Sequence, residues 1–189
     1  MSHRHNQIIH KALAVVRPRF RLDFTCGIHG IAHWSRVWIH GRALAAALDV
    51  NPDVLTWFAY LHDSQRHNDH RDQQHGSRAA DFALQLRREG VISELDDQEF
   101  EQLCEAMRLH SDGHTVGQTL VLACWDADRL DLSRAGIEPD PARLCTAPAR
   151  EAARIEAAVR MAGGMSRRPA FSRGIDNSNP NPVGRVSSA

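Results

Sequence analysis

The sequence lacks any long hydrophobic run. No stretch of the 189-residue chain approaches the roughly 18 consecutive apolar residues that a membrane-spanning helix needs. The N-terminal stretch, residues 1–20, interrupts its short apolar runs with histidines and basic residues, so it also lacks the continuous apolar core of a signal peptide. We therefore expect a soluble, cytoplasmic protein with no membrane partner.

Two further features are missing: an excess of charge and paired cysteines. Lys plus Arg and Asp plus Glu both number 23, so the formal net charge is zero with neutral histidines, and no global field attracts polyanions. This balance gives nucleic-acid binding no support. Cys26, Cys104, Cys124 and Cys145 form no CxxC pair of the kind that structural zinc sites use, so we expect reduced, packed thiols.

Length and C-terminal composition predict one domain followed by a tail. A chain of this size can bury one sizeable core without disulfides or a structural metal. From residue 163 onward the sequence is rich in Gly, Pro, Ser, Asn and Arg and offers almost nothing to bury. We therefore predict a domain over residues 1–162 and a disordered basic tail over residues 163–189, solvated rather than bound to nucleic acid.

Apolar residues recur at intervals of three and four along the domain, which is typical of helices packed against a core. No alternating strand pattern and no internal repeat stands out. Caps and glycine stops mark helix ends, including Ser93 or Asp96 as the start of a helix that closes at Gly113. The other predicted helices are residues 30–48, 51–63, 75–89, 119–135 and 148–161, with a polar loop over 64–74. The fold class is therefore all-α, a single compact helical bundle.

Twelve histidines are the most unusual count, because histidine is the commonest metal ligand and titrates near neutral pH. His33 lies inside the first predicted helix, the pair His62-Asp63 ends the second, and Asp128 lies on the inner face of segment 119–135. A catalytic metal needs three or four imidazoles or carboxylates from different elements, with positions left open for water and substrate. These four side chains, from three helices, form such a candidate set.

Each candidate has a structural alternative when it is taken alone. His33 could be a hydrogen-bonded core histidine, and His62 a helix-terminal residue favoured by the helix dipole. Asp128 could be the partner of Arg129 or Arg134 in an exposed ion pair. Only the occurrence of the candidates together favours a metal site over these explanations.

The order and spacing of the set resemble the HD superfamily of metal-dependent phosphohydrolases. His33 is followed by the His62-Asp63 dyad after 29 residues and by Asp128 after a further 65. Supporting details are Trp34-Ser35-Arg36-Val37 after the first histidine, the apolar run 57–61 before the dyad, and Asp-Ala-Asp-Arg-Leu-Asp around the last ligand. In the family pattern the ligand is the aspartate followed by a basic residue and leucine. The resemblance therefore selects Asp128 and leaves Asp126 an outer or surface position.

The resemblance implies a bundle of the HD-domain type that hydrolyses a phosphate ester. Its four residues would bind one divalent ion, which lowers the pKa of bound water from about 15.7 towards 7 and polarises a phosphoryl oxygen. Mixed histidine and carboxylate ligation suits manganese or iron first, and also cobalt, nickel, zinc or magnesium. The implied partner is a small phosphorylated substrate, of which nucleotides are the commonest among relatives. The sequence leaves the oligomeric state open.

One position departs from the family pattern. Several nucleotidases of this superfamily have a glutamate about one turn after the dyad as proton acceptor, and here that position is Arg66. We expect Arg66 to bind the substrate phosphate, which leaves the general base open between Asp63, a loop acid such as Asp69, and a histidine. Some members hold a second ion with two further histidines. His75 and His110 suit that role or phosphate contact, and we favour phosphate contact.

Other histidines are expected to be solvated. His67, His70 and His114 lie in polar loops. His3 and His5 belong to an N-terminal stretch that we expect to be mobile rather than a metal site.

Two alternatives compete with the hydrolase. The missing glutamate and the histidine-rich loop favour a metal-binding sensor or interaction domain without turnover. A diiron oxygenase on the same fold would need His75, His110 and related ligands to gather two ions. Turnover of a phosphate ester would distinguish the hydrolase from the sensor. The number of metal ions bound per chain would distinguish it from the diiron oxygenase.

Overall fold

Seven α-helices make up the part of the chain that the structure, a computed structural model, describes: residues 3–165. They are α1 (His3–Val16), α2 (Ile31–Leu48), α3 (Pro52–Leu61), α4 (His75–Arg88), α5 (Asp97–Leu109), α6 (Thr119–Arg129) and α7 (Ala152–Met165). Two short 3-10 helices, Leu132–Ala135 and Pro141–Arg143, follow α6. Residues 3–165 contain no strand, so the predicted all-α class is confirmed.

Helix α3 is the centre of the bundle. Every residue from 53 to 61 is buried, and the helix packs against α1, α2, α5 and α6. The Asn51 side chain accepts a hydrogen bond from the Asp53 N–H, and Pro52 occupies the first helical position. Trp57 and Phe58 are fully buried, and each such side chain contributes roughly 1.5–3 kcal/mol of apolar burial. The C-terminal end of this rigid helix carries His62 and Asp63.

Helices α2 and α4 begin and end close to the predicted limits, because their apolar stripes are local signals. Helix α5 begins as predicted but ends at Leu109, before the predicted stop at Gly113. Of the two predicted caps of α5, Asp96 is the one used. Its side chain accepts from the Glu99 N–H, while Glu99 reaches back to the Asp96 N–H. None of the helices in residues 3–165 combines the length and apolarity that crossing a bilayer requires.

The segment 119–135 was predicted to be one helix and is two elements. Helix α6 ends at Arg129, and the 3-10 helix Leu132–Ala135 follows. Between them Asp131 turns its carboxylate toward α2, where it accepts from His33 and Arg36. These buried charge-assisted hydrogen bonds outweigh continuation of the regular helix.

The last helix also differs from its prediction of residues 148–161. It begins at Ala152, because residues 146–150 form a turn in which the Arg150 N–H bonds to the Thr146 carbonyl. It continues to Met165, so residues 163–165, predicted to start the tail, are helical. The rest of the predicted tail lies outside the described residues.

The N-terminal stretch that we expected to be mobile is helical from His3, and it is tied to α3. Arg4 Nε lies 2.5 Å from Asp53 Oδ2, and His5 Nε2 lies 3.5 Å from Asp53 Oδ1. Apolar residues spaced by four along α1 are fully buried: Ile8, Ala12 and Val16. This stripe packs against α3, which explains why the segment is ordered.

Candidate metal centre

The four candidate ligands meet where α2, the end of α3 and α6 approach one another. Nε2 of His33 lies 3.1 Å from Nε2 of His62, 3.5 Å from Oδ2 of Asp63 and 3.4 Å from Oδ1 of Asp128. Nε2 of His62 lies 3.6 Å from the same Asp63 oxygen and 3.7 Å from the same Asp128 oxygen. Ligand atoms about 2.1 Å from one ion stand roughly 3.0–3.4 Å from each other. The separations among His33, His62 and Asp128 are therefore close to those of a single ion site, and Oδ2 of Asp63 adjoins both imidazoles.

The two imidazoles turn lone pairs toward each other. His33 donates from Nδ1 to Oδ2 of Asp131 over 2.7 Å, and His62 donates from Nδ1 to the Phe58 carbonyl over 3.0 Å. A carboxylate and a carbonyl only accept, so Nδ1 carries the proton of each neutral ring. Both Nε2 atoms are then acceptors, and neither can donate to the other. A cation between them satisfies both lone pairs, as in metal sites where a hydrogen-bond partner fixes the tautomer of a ligating histidine.

Asp128 supplies a buried oxygen that no hydrogen bond satisfies. Its Oδ1 has no hydrogen-bond partner among the described residues, and its neighbours are the two Nε2 atoms and Nη2 of Arg134 at 3.7 Å. A buried carboxylate oxygen without a partner is costly. Together with the two opposed lone pairs, it shows that the donor set fits a divalent metal ion.

Burial and neighbouring groups fix the charges of the site. Burial lowers the pKa of His62 to about 3, so the ring is neutral near pH 7 and free to coordinate. Burial alone would raise the pKa of Asp63 and of Asp128, but the surrounding imidazole and guanidinium groups hold both pKa values below the ordinary range. Two carboxylates and the neutral imidazole of His62 are ligands suited to a divalent cation.

A second set of donors adjoins the first through Asp63. Nε2 of His75 and Nε2 of His110 lie 2.8 Å apart, and they are 3.2 and 3.7 Å from Oδ1 of Asp63. Their Nδ1 atoms donate to the carbonyls of Asp72 and Met107, so the Nε2 atoms of the neutral rings are again opposed acceptors. Burial alone would lower the pKa of His110, but Asp63 beside it raises that pKa overall. A proton on His110 would let one Nε2 atom donate to the other, and a second cation would bind both lone pairs.

Two polar residues at the centre were given no role in the sequence prediction. His29, in the loop before α2, donates from Nδ1 to Oδ2 of Asp63 over 2.7 Å. Asp131 accepts from His33 and, over 2.5 Å, from Nε of Arg36. Asp131 lies about one turn after Asp128 in the sequence, and this spacing indicated that the two carboxylates share one face. No periodic pattern marks the loop of His29, so nothing in the sequence indicated it.

Asp126 occupies neither an outer ligand position nor the surface. It is fully buried and accepts from the Cys145 N–H, the Thr146 N–H and the Thr146 hydroxyl. Its carboxylate thereby fixes the segment that follows Pro141–Arg143 against α6. The expected outer or surface position for Asp126 was wrong, because these partners come from a loop whose course the sequence does not indicate.

Arg66 is turned toward the candidate ligands. Nε donates to Oδ1 of Asp63 over 2.8 Å, Nη1 donates to the His70 carbonyl over 3.1 Å, and Nη2 lies 3.4 Å from Nε2 of His75. The guanidinium therefore holds Asp63 in place. Phosphate binding by Arg66 stays a prediction.

The candidate centre borders a cavity of about 800 Å³, within the roughly 300–1,000 Å³ typical of small-molecule sites. Asp63, Asp128 and His110 contribute to its wall. The rest of the wall includes four arginines, three acidic residues and several apolar side chains: Arg66, Arg129, Arg134, Arg143, Asp69, Glu138, Asp140, Ile28, Leu132, Ile137 and Leu144. The predicted loop histidines at 67, 70 and 114 are exposed, and the one at 70 lies on this cavity. The cavity thus offers cationic, anionic and apolar contacts beside the donor set.

No protein-family model, curated protein or solved structure matches the chain.

Proposed function

We propose that the protein is a metal-dependent phosphohydrolase with an HD-type helical bundle, which cleaves a phosphate ester of a small molecule. One observation carries the proposal: two imidazole lone pairs and the carboxylates of Asp63 and Asp128 converge from three helices, with the buried Oδ1 of Asp128 left without a hydrogen bond. Such a buried set is costly unless a cation completes it. Its order along the chain resembles that of the HD superfamily.

The chain's own residues would hold, orient and shield the reacting groups. His33, His62, Asp63 and Asp128 would bind a divalent ion, which supplies Lewis acidity and an acidified water for attack on phosphorus. Asp131 holds the ring of His33, while His29 and Arg66 hold the two oxygens of Asp63. This preorganisation keeps the donors in place before a substrate arrives.

The second donor pair supports a second ion when both of its rings are neutral. In neutral His75 and His110 the Nε2 atoms have no proton to donate, so those rings cannot act as hydrogen-bond donors to a phosphate. They do offer two lone pairs beside Oδ1 of Asp63, whose other oxygen faces His33. We therefore propose a second ion that shares Asp63, in place of the phosphate contact that we favoured from the sequence.

The cavity supports an organic phosphate as the substrate. Its arginines complement the negative charge of a phosphoryl group, and its apolar residues offer contact for the organic part. A nucleotide is one small molecule that combines these features. The volume of about 800 Å³ accommodates a substrate of that class.

The second donor set also supports the diiron oxygenase as a runner-up, because such chemistry needs two adjacent ions. The metal that sustains turnover separates the two functions. Zinc and magnesium do not change oxidation state, so phosphate release with either ion would support hydrolysis. Turnover that requires both iron and oxygen, without phosphate release, would support the oxygenase.

The direct test is release of phosphate from a generic phosphomonoester and a generic phosphodiester by the full chain with added manganese. We expect activity in the wild type and its loss, together with bound metal, in His62→Ala and Asp63→Ala. His70→Ala is the matched control, because this residue is exposed on the same cavity. Metal binding without turnover of either ester would favour the sensor alternative, and full activity in His62→Ala would contradict the proposed site.

A further inference from the structure

Four arginines line the cavity, and three of them are poorly placed to bind a substrate. Arg66 donates to Asp63, and its remaining nitrogens face a loop carbonyl and an imidazole. Arg129 joins two loops, with Nη1 2.8 Å from the Arg143 carbonyl and Nη2 2.6 Å from the His114 carbonyl. The Arg143 side chain is 83% exposed, so water screens its charge.

Arg134 is arranged differently from the other three. It belongs to the 3-10 helix Leu132–Ala135, and its side chain is only 9% exposed. Nε donates to the Ile28 carbonyl over 2.9 Å, and Nη1 donates to the Asp131 carbonyl over 3.2 Å. These two backbone bonds fix the plane of the guanidinium. Nη2 forms no hydrogen bond to any residue in 3–165. It lies 3.7 Å from Oδ1 of Asp128, and Nη1 lies 3.9 Å from Oδ2 of Asp131, so the guanidinium has two carboxylates as ion-pair neighbours.

The free edge of Arg134 therefore borders both the candidate centre and the cavity. A guanidinium has five N–H donors in a planar fork that matches the oxygens of a phosphate. Its attraction for an anion is stronger in a partly buried site than in water, because the effective dielectric constant is lower. The side chain is already ordered by its backbone bonds, so binding an anion costs little side-chain entropy.

We propose that Arg134 binds the anionic oxygens of the substrate's phosphoryl group, in the role that the sequence assigned to Arg66. The ester substrate rests on the proposed function, but binding of inorganic phosphate needs no turnover. Arg66 in this arrangement is the residue that holds Asp63. The specificity of the cavity for phosphorylated over neutral compounds then depends on Arg134.

The test is the affinity of the full, manganese-loaded chain for inorganic phosphate, measured by calorimetry. Arg134→Gln removes the charge and the free edge, and we expect phosphate to bind roughly 10- to 100-fold more weakly, the range for hydrogen bonds to charged groups. The same substitution at the exposed arginine, Arg143→Gln, is the matched control, with an expected change within about threefold. Metal content and unfolding temperature are measured for each variant.

A second pair of variants separates binding from support of the fold. Arg134→Lys keeps the charge but loses the fork, so we expect weaker phosphate binding. Its unfolding temperature measures separately what the lost bonds to Ile28 and Asp131 contribute. In Arg134→Ala, millimolar guanidinium should restore part of the phosphate affinity. A residue that only held Ile28 and Asp131 in place would not give this recovery.

Phosphate binding and ester hydrolysis are measured independently, so the role of Arg134 and the hydrolase function can fail separately. Arg134-dependent phosphate binding without hydrolysis of any ester would support the role of Arg134 and count against the hydrolase. Ester hydrolysis together with wild-type phosphate affinity in Arg134→Gln would overturn the role and leave the hydrolase standing. A wild type that binds no phosphate, or loss of binding in Arg66→Gln alone, would also overturn it.

Discussion

The hydrogen-bond partner of each Nδ1 atom determines what the candidate centre can hold. In His33, His62, His75 and His110 this partner is a carboxylate or a backbone carbonyl, which only accepts. The four Nε2 atoms of the neutral rings are therefore acceptors that face inward. Asp131 is the one side chain among these partners, so it is the one that substitution can change.

Asp131→Asn should weaken metal binding about 10- to 100-fold, because it removes the charged hydrogen-bond acceptor that orients the His33 ring. It should also lower the free energy of unfolding by about 3 kcal/mol, since the buried Arg36 loses its carboxylate. The measurements are calorimetric titration with manganese and urea unfolding of the metal-free chain.

Asp126→Asn is the matched control for this substitution. Asp126 is equally buried but bonds to Cys145 and Thr146. We expect a loss of about 1–3 kcal/mol in unfolding free energy and no change in metal affinity. Equal metal affinity in both variants would contradict the role of Asp131.

His40 gives the fold a pH dependence that is separate from the candidate ligands. It is 5% exposed, and its Nε2 has no hydrogen-bond partner in the described chain. Burial lowers the pKa of His40 to about 4; Asp131 opposes this shift, and Arg36, Arg154 and His33 add to it. Because the unfolded chain takes up a proton that the native ring refuses, stability is complete above about pH 6.5 and falls as the pH drops toward 4.

His40→Leu should therefore lose less stability on acidification than the wild type. The expected difference is about 2 kcal/mol between pH 7 and pH 5, from the unfolded and native pKa values. Urea unfolding of the metal-free chain at several pH values measures it. Parallel pH dependence in the two proteins would show that His40 is protonated in the native state as readily as in the unfolded chain.

Among individual residues, the sequence predicted those that belong to a motif. It missed those whose position at the centre is set by the course of a loop. His33, His62, Asp63 and Asp128 were predicted from their order, and the structure brings them together. His29 was missed because the loop that carries it has no periodicity.

At the scale of elements, the close approach of α4 and α5 sets the second donor pair. His75 begins α4, and His110 follows the last residue of α5. Gly76 allows this approach, because a Cβ at that position would overlap the Met107 carbonyl oxygen and press on Cε1 of His110. The separation of the two imidazoles therefore depends on a glycine that has no chemical role.

Gly76→Ala should push α4 away from α5 and separate the two imidazoles. We expect a loss of about 1–3 kcal/mol in unfolding free energy, as for other overpacked interiors, and a drop from two bound ions to one. Calorimetry and elemental analysis of the metal per chain measure the change.

Gly163→Ala is the control for Gly76→Ala. Position 163 lies in α7 with no atom within 4 Å of an added Cβ, and replacing a helical glycine by alanine stabilises by up to about 1 kcal/mol. Two ions retained in Gly76→Ala would contradict the proposed dependence on helix spacing.

Helices were predictable where their signals are local. The Asn51-Pro52 start of α3 and the capping box of α5 are such signals. The break after Arg129 was not predictable, because it depends on hydrogen bonds from His33 and Arg36 on a distant helix. The first helix was missed because its stabilising contacts, with Asp53 among them, belong to α3.

At the scale of the whole molecule, a bound ion would join three helices that the core already packs together. The all-α class followed from periodicity alone, whereas the cavity and its arginines depend on loops that no periodic signal specifies. An ion that binds the native chain but not the unfolded one adds to the free energy of unfolding. The size of that gain depends on how completely the four donors are preformed.

Manganese at 100 times its dissociation constant should stabilise the wild type by about 2.7 kcal/mol. Asp128→Asn should respond weakly or not at all, and His67→Ala, which changes an exposed histidine, should respond as the wild type does. Thermal unfolding with and without manganese measures the difference. A full response in Asp128→Asn would place the ion elsewhere.

The most direct test of the shared ion site is anomalous X-ray scattering from crystals of the full chain grown with manganese. A peak should lie about 2.0–2.3 Å from Nε2 of His33, Nε2 of His62, Oδ2 of Asp63 and Oδ1 of Asp128. A well-ordered chain with no peak among these four atoms, or with a peak only at other residues, would contradict it.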